Sequence, residues 1–224
     1  MIGGNTMTYE QICGDSAVNT YIAQADMTLE ALGFTEHSFA HVTMAAERSA
    51  YILKTLGYDE RTVELAKIAG YLHDIGNVIN RVDHSQSGAV MAFRILDRME
   101  FPPEEIAIII SAIGNHDEGT GVPVNPVAAA LIIADKSDVR RSRVRDTADV
   151  QVDIHDRVNY SVTRSDVSVN PEDKTLTLAL DVDTDVSPVM EYLEIFMKRM
   201  LMCRRAAEKL GLTFHLEING QRLV

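Results

Sequence analysis

The chain has 224 residues, of which 46% are hydrophobic and 24% charged, and a formal net charge of −12. This balance excludes a disordered polypeptide and allows one sizeable core with a small appendage. No basic face is available for polymeric nucleic acid, and the longest apolar stretches, 105–113 and 127–134, fall short of the roughly 20 residues that span a bilayer.

The opening stretch, MIGGNTMTYEQICG, has neither a cationic start nor a long apolar segment, so a cytoplasmic location is expected. Helices are predicted over 16–32, between Asp15 and Gly33, and over 36–56, between Thr35 and Gly57, each with a capping oxygen before it and a glycine stop after it. A third, 60–74 after Asp59, becomes apolar on nearly every face toward IAGYL, the mark of a helix buried on most sides. A fourth is predicted from Asp83, with Gln86 completing a capping box, to about Met99. A fifth begins at Pro103, and a sixth opens at Asn125 with Pro126 in its first turn.

The character changes near residue 160. YSVTRSDVSV and KTLTLALDV read as a hairpin across NPED, followed by a helix over 188–210 capped by Ser187 and stopped by Gly211, and then by a closing strand in TFHLEING. The expected fold is mostly α: a helical bundle over 1–149 with a small α+β appendage, strand-strand-helix-strand, over 150–224. Methionines 190, 197, 200 and 202 suit a core or a dimer contact, so a homodimer is compatible with that helix. Cys13 and Cys203 are far apart and read as reduced packing residues, with no disulfide framework or thiolate zinc site.

The His-Asp dipeptide occurs three times, at 73–74, 116–117 and 155–156, so position must decide which one carries chemistry. His41 lies at the edge of the apolar stripe Val42, Ala45, Ala46 and Ser49, and His73 ends the stripe Ala66, Ala69 and Gly70 just before Asp74. His116 ends IAIIISAIGNH, and His84 sits in a first helical turn. Asp135 ends VAAALIIAD, where an ionised carboxylate without partners costs several kcal/mol, so it must be protonated, ligated, or paired with Lys136 or an arginine. Singly, each histidine fits a hydrogen-bonded core residue or an exposed helix end. Together, the six residues suggest a cage for one or two divalent ions: manganese, iron, nickel, cobalt, zinc or magnesium. His155 and His215 read as structural, and His37 as a neighbour of the cage.

In this order, His41, LHDIGN, His84 in HSQSGA, His116 in IGNHDEGTG and Asp135 in ALIIADKSD, the chain resembles the metal-dependent phosphohydrolases of the HD-domain superfamily over roughly 35–145. The resemblance implies an HD-type helical bundle in which His41, His73, Asp74 and Asp135 hold one metal, while His84 and His116 hold a second with Asp74 bridging. The branches that hydrolyse symmetrical diadenosine tetraphosphate and cyclic-di-GMP share this wider pattern. Asn77 stands where many relatives have a lysine, and Asp117 and GVP replace the second histidine and the GYP of the cyclic-di-GMP branch.

After Asp135, the run KSDVRRSRVR crowds four arginines into six residues. An acidic phosphate-binding protein needs guanidinium groups beside its metal, and Arg141, which matches an arginine of the diadenosine branch, is the leading candidate, with Arg140 and Arg81 behind it. Asp74 is expected to be central to catalysis, and Asp117 or Glu118 to protonate the leaving group. The expected partner is a small phosphorylated substrate, a nucleotide. Two other functions fit the same residues: a regulatory nucleotide-binding module without turnover, and a di-iron oxygenase.

Overall fold

The structure is a computed structural model, and it describes residues 7–145, 150 and 153–224. The helical part runs through α1 (Tyr9–Gly14), α2 (Ser16–Ala31), α3 (Phe39–Thr55), α4 (Glu60–Leu72), α5 (His84–Arg98), α6 (Pro103–Gly114) and α7 (Pro126–Lys136). Short 3-10 turns occupy Ile75–Val78 and Arg141–Arg143. Then follow α8 (Ile154–Ser161), β1 (Val162–Asn170), β2 (Thr175–Val182), α9 (Val189–Lys209), β3 (Thr213–Ile218) and β4 (Gln221–Arg222). This is the expected mostly helical fold with a small α+β appendage. The expected division at residue 149 falls outside the described residues.

α7 is the central helix. Every residue from Val127 to Lys136 is buried, which matches a sequence apolar on all faces, and the helix packs on α3, α4, α6 and α9. The α3–α4 contact is close because residue 70 is glycine: a Cβ there would stand 2.6 Å from the Ala46 backbone. The two helices thereby bring their histidines to one end of the bundle. Gly76, in the 3-10 turn after Asp74, is equally constrained, since a Cβ would collide with the His84 carbonyl oxygen.

The four strands lie in the order β1-β2-β3-β4. β1 and β2 form the antiparallel hairpin, whereas β2 and β3 are parallel and are therefore joined by a crossover, which is α9. β4 is absent from the sequence expectation, although Asn219-Gly220, both with positive φ, is a strong short-hairpin signal. Sheet and bundle residues belong to one contiguous hydrophobic core. Among the described residues no helix is long and apolar enough to cross a membrane.

Three predicted helix starts need correction. α3 begins at Phe39, capped by Ser38, because Thr35 lies in an irregular segment whose carbonyl accepts from His37 Nδ1 at 2.6 Å. α5 has no capping box: Asp83 is left-handed (φ 56°), and its side chain makes no cap hydrogen bond. Gln86 instead donates to the Gly114 carbonyl at 2.7 Å, tying α5 to the end of α6. Pro188, not Ser187, occupies the cap of α9, and the Ser187 hydroxyl donates to Glu191 at 2.7 Å.

Candidate metal centre

Five segments deliver the six residues to one point. His41 lies in the first turn of α3, His73 caps the end of α4 with Asp74 directly after it, His84 opens α5, His116 follows α6, and Asp135 ends α7. Their inward atoms fall mainly into two groups, with His116 also within reach of His73 and Asp135. In the first, His41 Nε2 is 3.2 Å from His73 Nε2, 3.5 Å from Asp74 Oδ2 and 3.4 Å from Asp135 Oδ1. His73 Nε2 is 3.4 Å from Asp74 Oδ2 and 3.7 Å from Asp135 Oδ1. In the second, His84 Nε2 and His116 Nε2 are 3.1 Å apart and lie 3.5 and 3.8 Å from Asp74 Oδ1. Asp74 thus gives one oxygen to each group.

The ring tautomers follow from the outer nitrogens. His73, His84 and His116 each place Nδ1 within 2.6–3.0 Å of a backbone carbonyl, of Gly70, Arg81 and Ile113 respectively, and His41 places Nδ1 2.7 Å from Asp138 Oδ2. An oxygen acceptor holds the proton on Nδ1, so each Nε2 turns a lone pair inward, as a metal-ligating histidine does. Two lone pairs facing each other across 3.1–3.2 Å, with carboxylate oxygens beside them, need a positive charge between them. The spacing also fits: ligand atoms about 2.0–2.2 Å from a common ion stand roughly 3–3.5 Å from one another. Asp135 Oδ2 adds a buried oxygen that accepts no well-directed hydrogen bond. The donor set therefore suits divalent ions bound by imidazole and carboxylate, and the residues that would hold them are those six.

Electrostatics separates the two groups. Burial opposes charge on His41, as does Arg143, yet hydrogen bonds with Asp135, Asp138 and Asp74 lift it to about 9. For His73, burial is again the largest effect, but Asp74 and Asp135 lift it to about 10. Despite burial, Asp74 is held well below the carboxylate range by His73 and His41, and Asp135 by Lys136, His41 and His73. In the second group burial prevails, driving His116 down to about 3 with help from His73 and Lys136, and lowering His84. The first group demands a cation, and the second stays neutral and ready to ligate.

A polar recess opens above Asp74, His84, His116 and Asp135, rimmed by His37, Arg81, Lys136, Arg143 and Arg199. It adjoins a cavity of about 380 Å³ that shares His37, Arg81, Arg143 and Arg199 and adds Phe34, His155, Asn159 and Phe196. Of the proposed phosphate contacts, only Arg81 reaches this rim. Arg141 points elsewhere: it starts a 3-10 turn and donates to the Tyr160 carbonyl at 2.6 Å, with its guanidinium over the Tyr160 ring. The same turn carries Arg143, two residues on, inward. Arg140 is spent on Asp138 at 2.8 Å and Glu36 at 3.2 Å. Asp117 folds back to accept the Gly119 amide at 3.0 Å and lines neither cavity.

Sequence reading did not place Asp138, Lys136, Arg143 or Arg199 at the site. Lys136 Nζ is 2.7 Å from Asp135 Oδ2 and 3.2 Å from Glu118 Oε2, and Glu118 Oε1 is 2.7 Å from Arg199 Nε. The pairing of Asp135 with Lys136 is therefore present, while its other oxygen faces His41 and His73. Asp138 follows Asp135 by nearly one turn, a signal visible in ADKSD. Nothing local marks Arg199, which is remote in sequence.

A helical bundle that gathers four imidazoles and two carboxylates at the ends of buried segments defines a protein with a His-Asp cluster able to hold metal. Residues 38–158, more than half of the chain, match the sequence profile of the HD domain, and the chain belongs to that family. It is 26% identical over 162 residues to the uncharacterized protein MJ1020 of Methanocaldococcus jannaschii, a match that spans 62% of this chain and 62% of that relative. A crystal structure of a predicted HD superfamily hydrolase from an uncultured Thermotogales bacterium aligns with 65% of this chain and 80% of its own, at 23% identity and a TM-score of 0.44.

Proposed function

We propose that the protein is a metal-dependent phosphohydrolase acting on a small phosphate ester or anhydride, a nucleotide. The observation that carries this reading is the split of Asp74, with Oδ2 facing His41 and His73 and Oδ1 facing His84 and His116, beneath a rim of cationic side chains. Divalent ions held there would supply Lewis acidity, stabilising charge on phosphoryl oxygens and lowering the pKa of water at the site.

The chain's own groups supply the rest. Asp74 and Asp135, kept ionised, would hold the cations and offset their charge. Arg81, over the Phe34 ring at 5.6 Å, offers a guanidinium to a phosphate above the cage. Lys136, Arg143 and Arg199 add positive potential at the same rim, which an acidic chain needs in order to hold an anion. Glu118 is held low, to about 2, by Lys136 and Arg199 against the effect of burial, and it pairs with both cations. His37, its Nδ1 bound to the Thr35 carbonyl, turns Nε2 outward from that bond as an acceptor. The adjoining cavity, at the lower end of the range for ligand pockets, suits one nucleoside-sized group.

The test is metal analysis of protein purified without chelators, followed by a phosphate-release screen over mononucleotides, dinucleoside polyphosphates and cyclic dinucleotides. Release dependent on the bound ion is expected. A metal-loaded protein that releases no phosphate from the panel would refute the reading, and substrate-dependent oxygen uptake by such a protein would install the oxygenase in its place.

A further inference from the structure

The cations at the rim are not equally free. Arg143 is buried and donates from Nε to the Glu36 carbonyl at 2.8 Å and from Nη1 to the Asp138 carbonyl at 2.7 Å, so it braces the wall. Lys136 is enclosed between Asp135 and Glu118. Arg199 differs from both. Its Nε faces Glu118, its guanidinium carbon lies 4.3 Å from the centre of the Phe196 ring, and its terminal nitrogens donate no hydrogen bond among the described residues. Its side chain is 25% exposed, and it lines both the recess over the metal ligands and the adjoining cavity. It projects from α9, beyond the residues 38–158 that match the HD domain.

We infer that Arg199 is a substrate-binding residue that the C-terminal α+β segment contributes to the site, where it takes a phosphate oxygen of the substrate opposite Arg81. This inference rests on the phosphohydrolase reading. Phe196 and Glu118 hold the guanidinium plane in place before the anion arrives, so little side-chain entropy is lost on binding, and the two terminal nitrogens present the forked donor pair that matches phosphate. α9 thereby has a second role besides linking β2 to β3. Through Phe196 and Arg199 it lines the same cavity as Phe34 and Arg81.

The test is calorimetric titration of inorganic phosphate into the metal-loaded protein and its variants, with metal content and circular dichroism measured on each sample. Arg199→Met should weaken phosphate binding about tenfold or more while metal content and helical signal stay at parental levels. Arg199→Lys should recover only part of the loss, because an ammonium cannot make the forked contact. Arg204→Met, which removes an exposed arginine from the same helix, should bind phosphate like the parent. Phosphate binding by Arg199→Met equal to that of the parent, or weakened only in proportion to lost metal, would overturn the inference. If the parent binds phosphate through Arg199 but hydrolyses no phosphate ester, Arg199 stands and the hydrolase reading falls. If the parent binds no phosphate, the Arg199 inference falls, and the hydrolase reading is decided separately by the release screen.

Discussion

His41 Nδ1 lies 2.7 Å from Asp138 Oδ2, and Asp138 is 2% exposed. The carboxylate fixes the imidazole so that Nε2 faces the cage, and it is itself held ionised, against burial, by Arg143, His41 and Arg140. Supporting carboxylates of this kind tune metal affinity by about 10–100-fold. Asp138→Asn should therefore weaken metal binding by about that factor while the chain remains folded, as read by competition with a chelating dye. Unchanged affinity would reduce Asp138 to a packing residue.

The two oxygens of Asp74 make a stoichiometric prediction. His116→Ala should remove one of the two imidazoles of the second group while His41, His73, Asp74 and Asp135 remain, so the protein retains one ion per chain. Asp74→Ala should lose both, with turnover abolished and the circular dichroism of the helices preserved. Elemental analysis of the purified variants decides. Retention of full metal by Asp74→Ala, or loss of all metal by His116→Ala, would contradict the two-group geometry.

In the metal-free protein, stability should have two pH limbs. The folded-state values of His41 and His73, about 9 and 10, lie above their ordinary value of 6.5, so their contribution is complete below that value and is lost as pH rises through 9 to 10. His37, His84 and His116 are lowered, chiefly by burial, so their contribution is present above 6.5 and is lost as pH falls. Bound metal replaces the protons on His41 and His73, so it should erase the alkaline limb and release protons on binding at neutral pH. Thermal melts across the pH range with and without metal test this. A metal-free Tm that does not fall between pH 8 and about 10.5 would rule it out.

Lys136 meets Asp135 Oδ2 at 2.7 Å, on the side of the carboxylate away from the histidines, and burial works against its charge while Asp135 and Glu118 retain it. Lys136→Met leaves two enclosed carboxylates short of a partner, a change that costs about 3–5 kcal/mol. Tm should drop by about 10 °C in the metal-free protein and by less with metal bound, since an ion also neutralises Asp135. A variant as stable as the parent would show that the histidines alone balance Asp135.

Much of the architecture was legible in local signals. Asp15, Asp59 and Asn125 cap the helices they were expected to cap, and Pro103 and Pro126 open theirs. These motifs act within one turn, so a linear reading captures them. The capping box at Asp83 failed because Asp83 is left-handed and its side chain makes no cap hydrogen bond, while Gln86 is drawn to the Gly114 carbonyl of a distant segment.

The sequence by itself determined the element types and the set of histidines and aspartates that end buried segments, because burial periodicity and the cost of an unpaired buried charge are properties of short stretches, and the order of those residues carried the resemblance to the HD-domain family. Only the tertiary structure decided which cations reach them. Arg140, Arg141 and Arg143 are chemically alike and nearly adjacent, and a single 3-10 turn sends one to Asp138 and Glu36, one to Tyr160 and one to the cavity wall. Arg199 arrives from α9 because that helix packs on α7. Side-chain direction depends on backbone turns and on packing between distant segments, and neither is written in the spacing of residues along the chain.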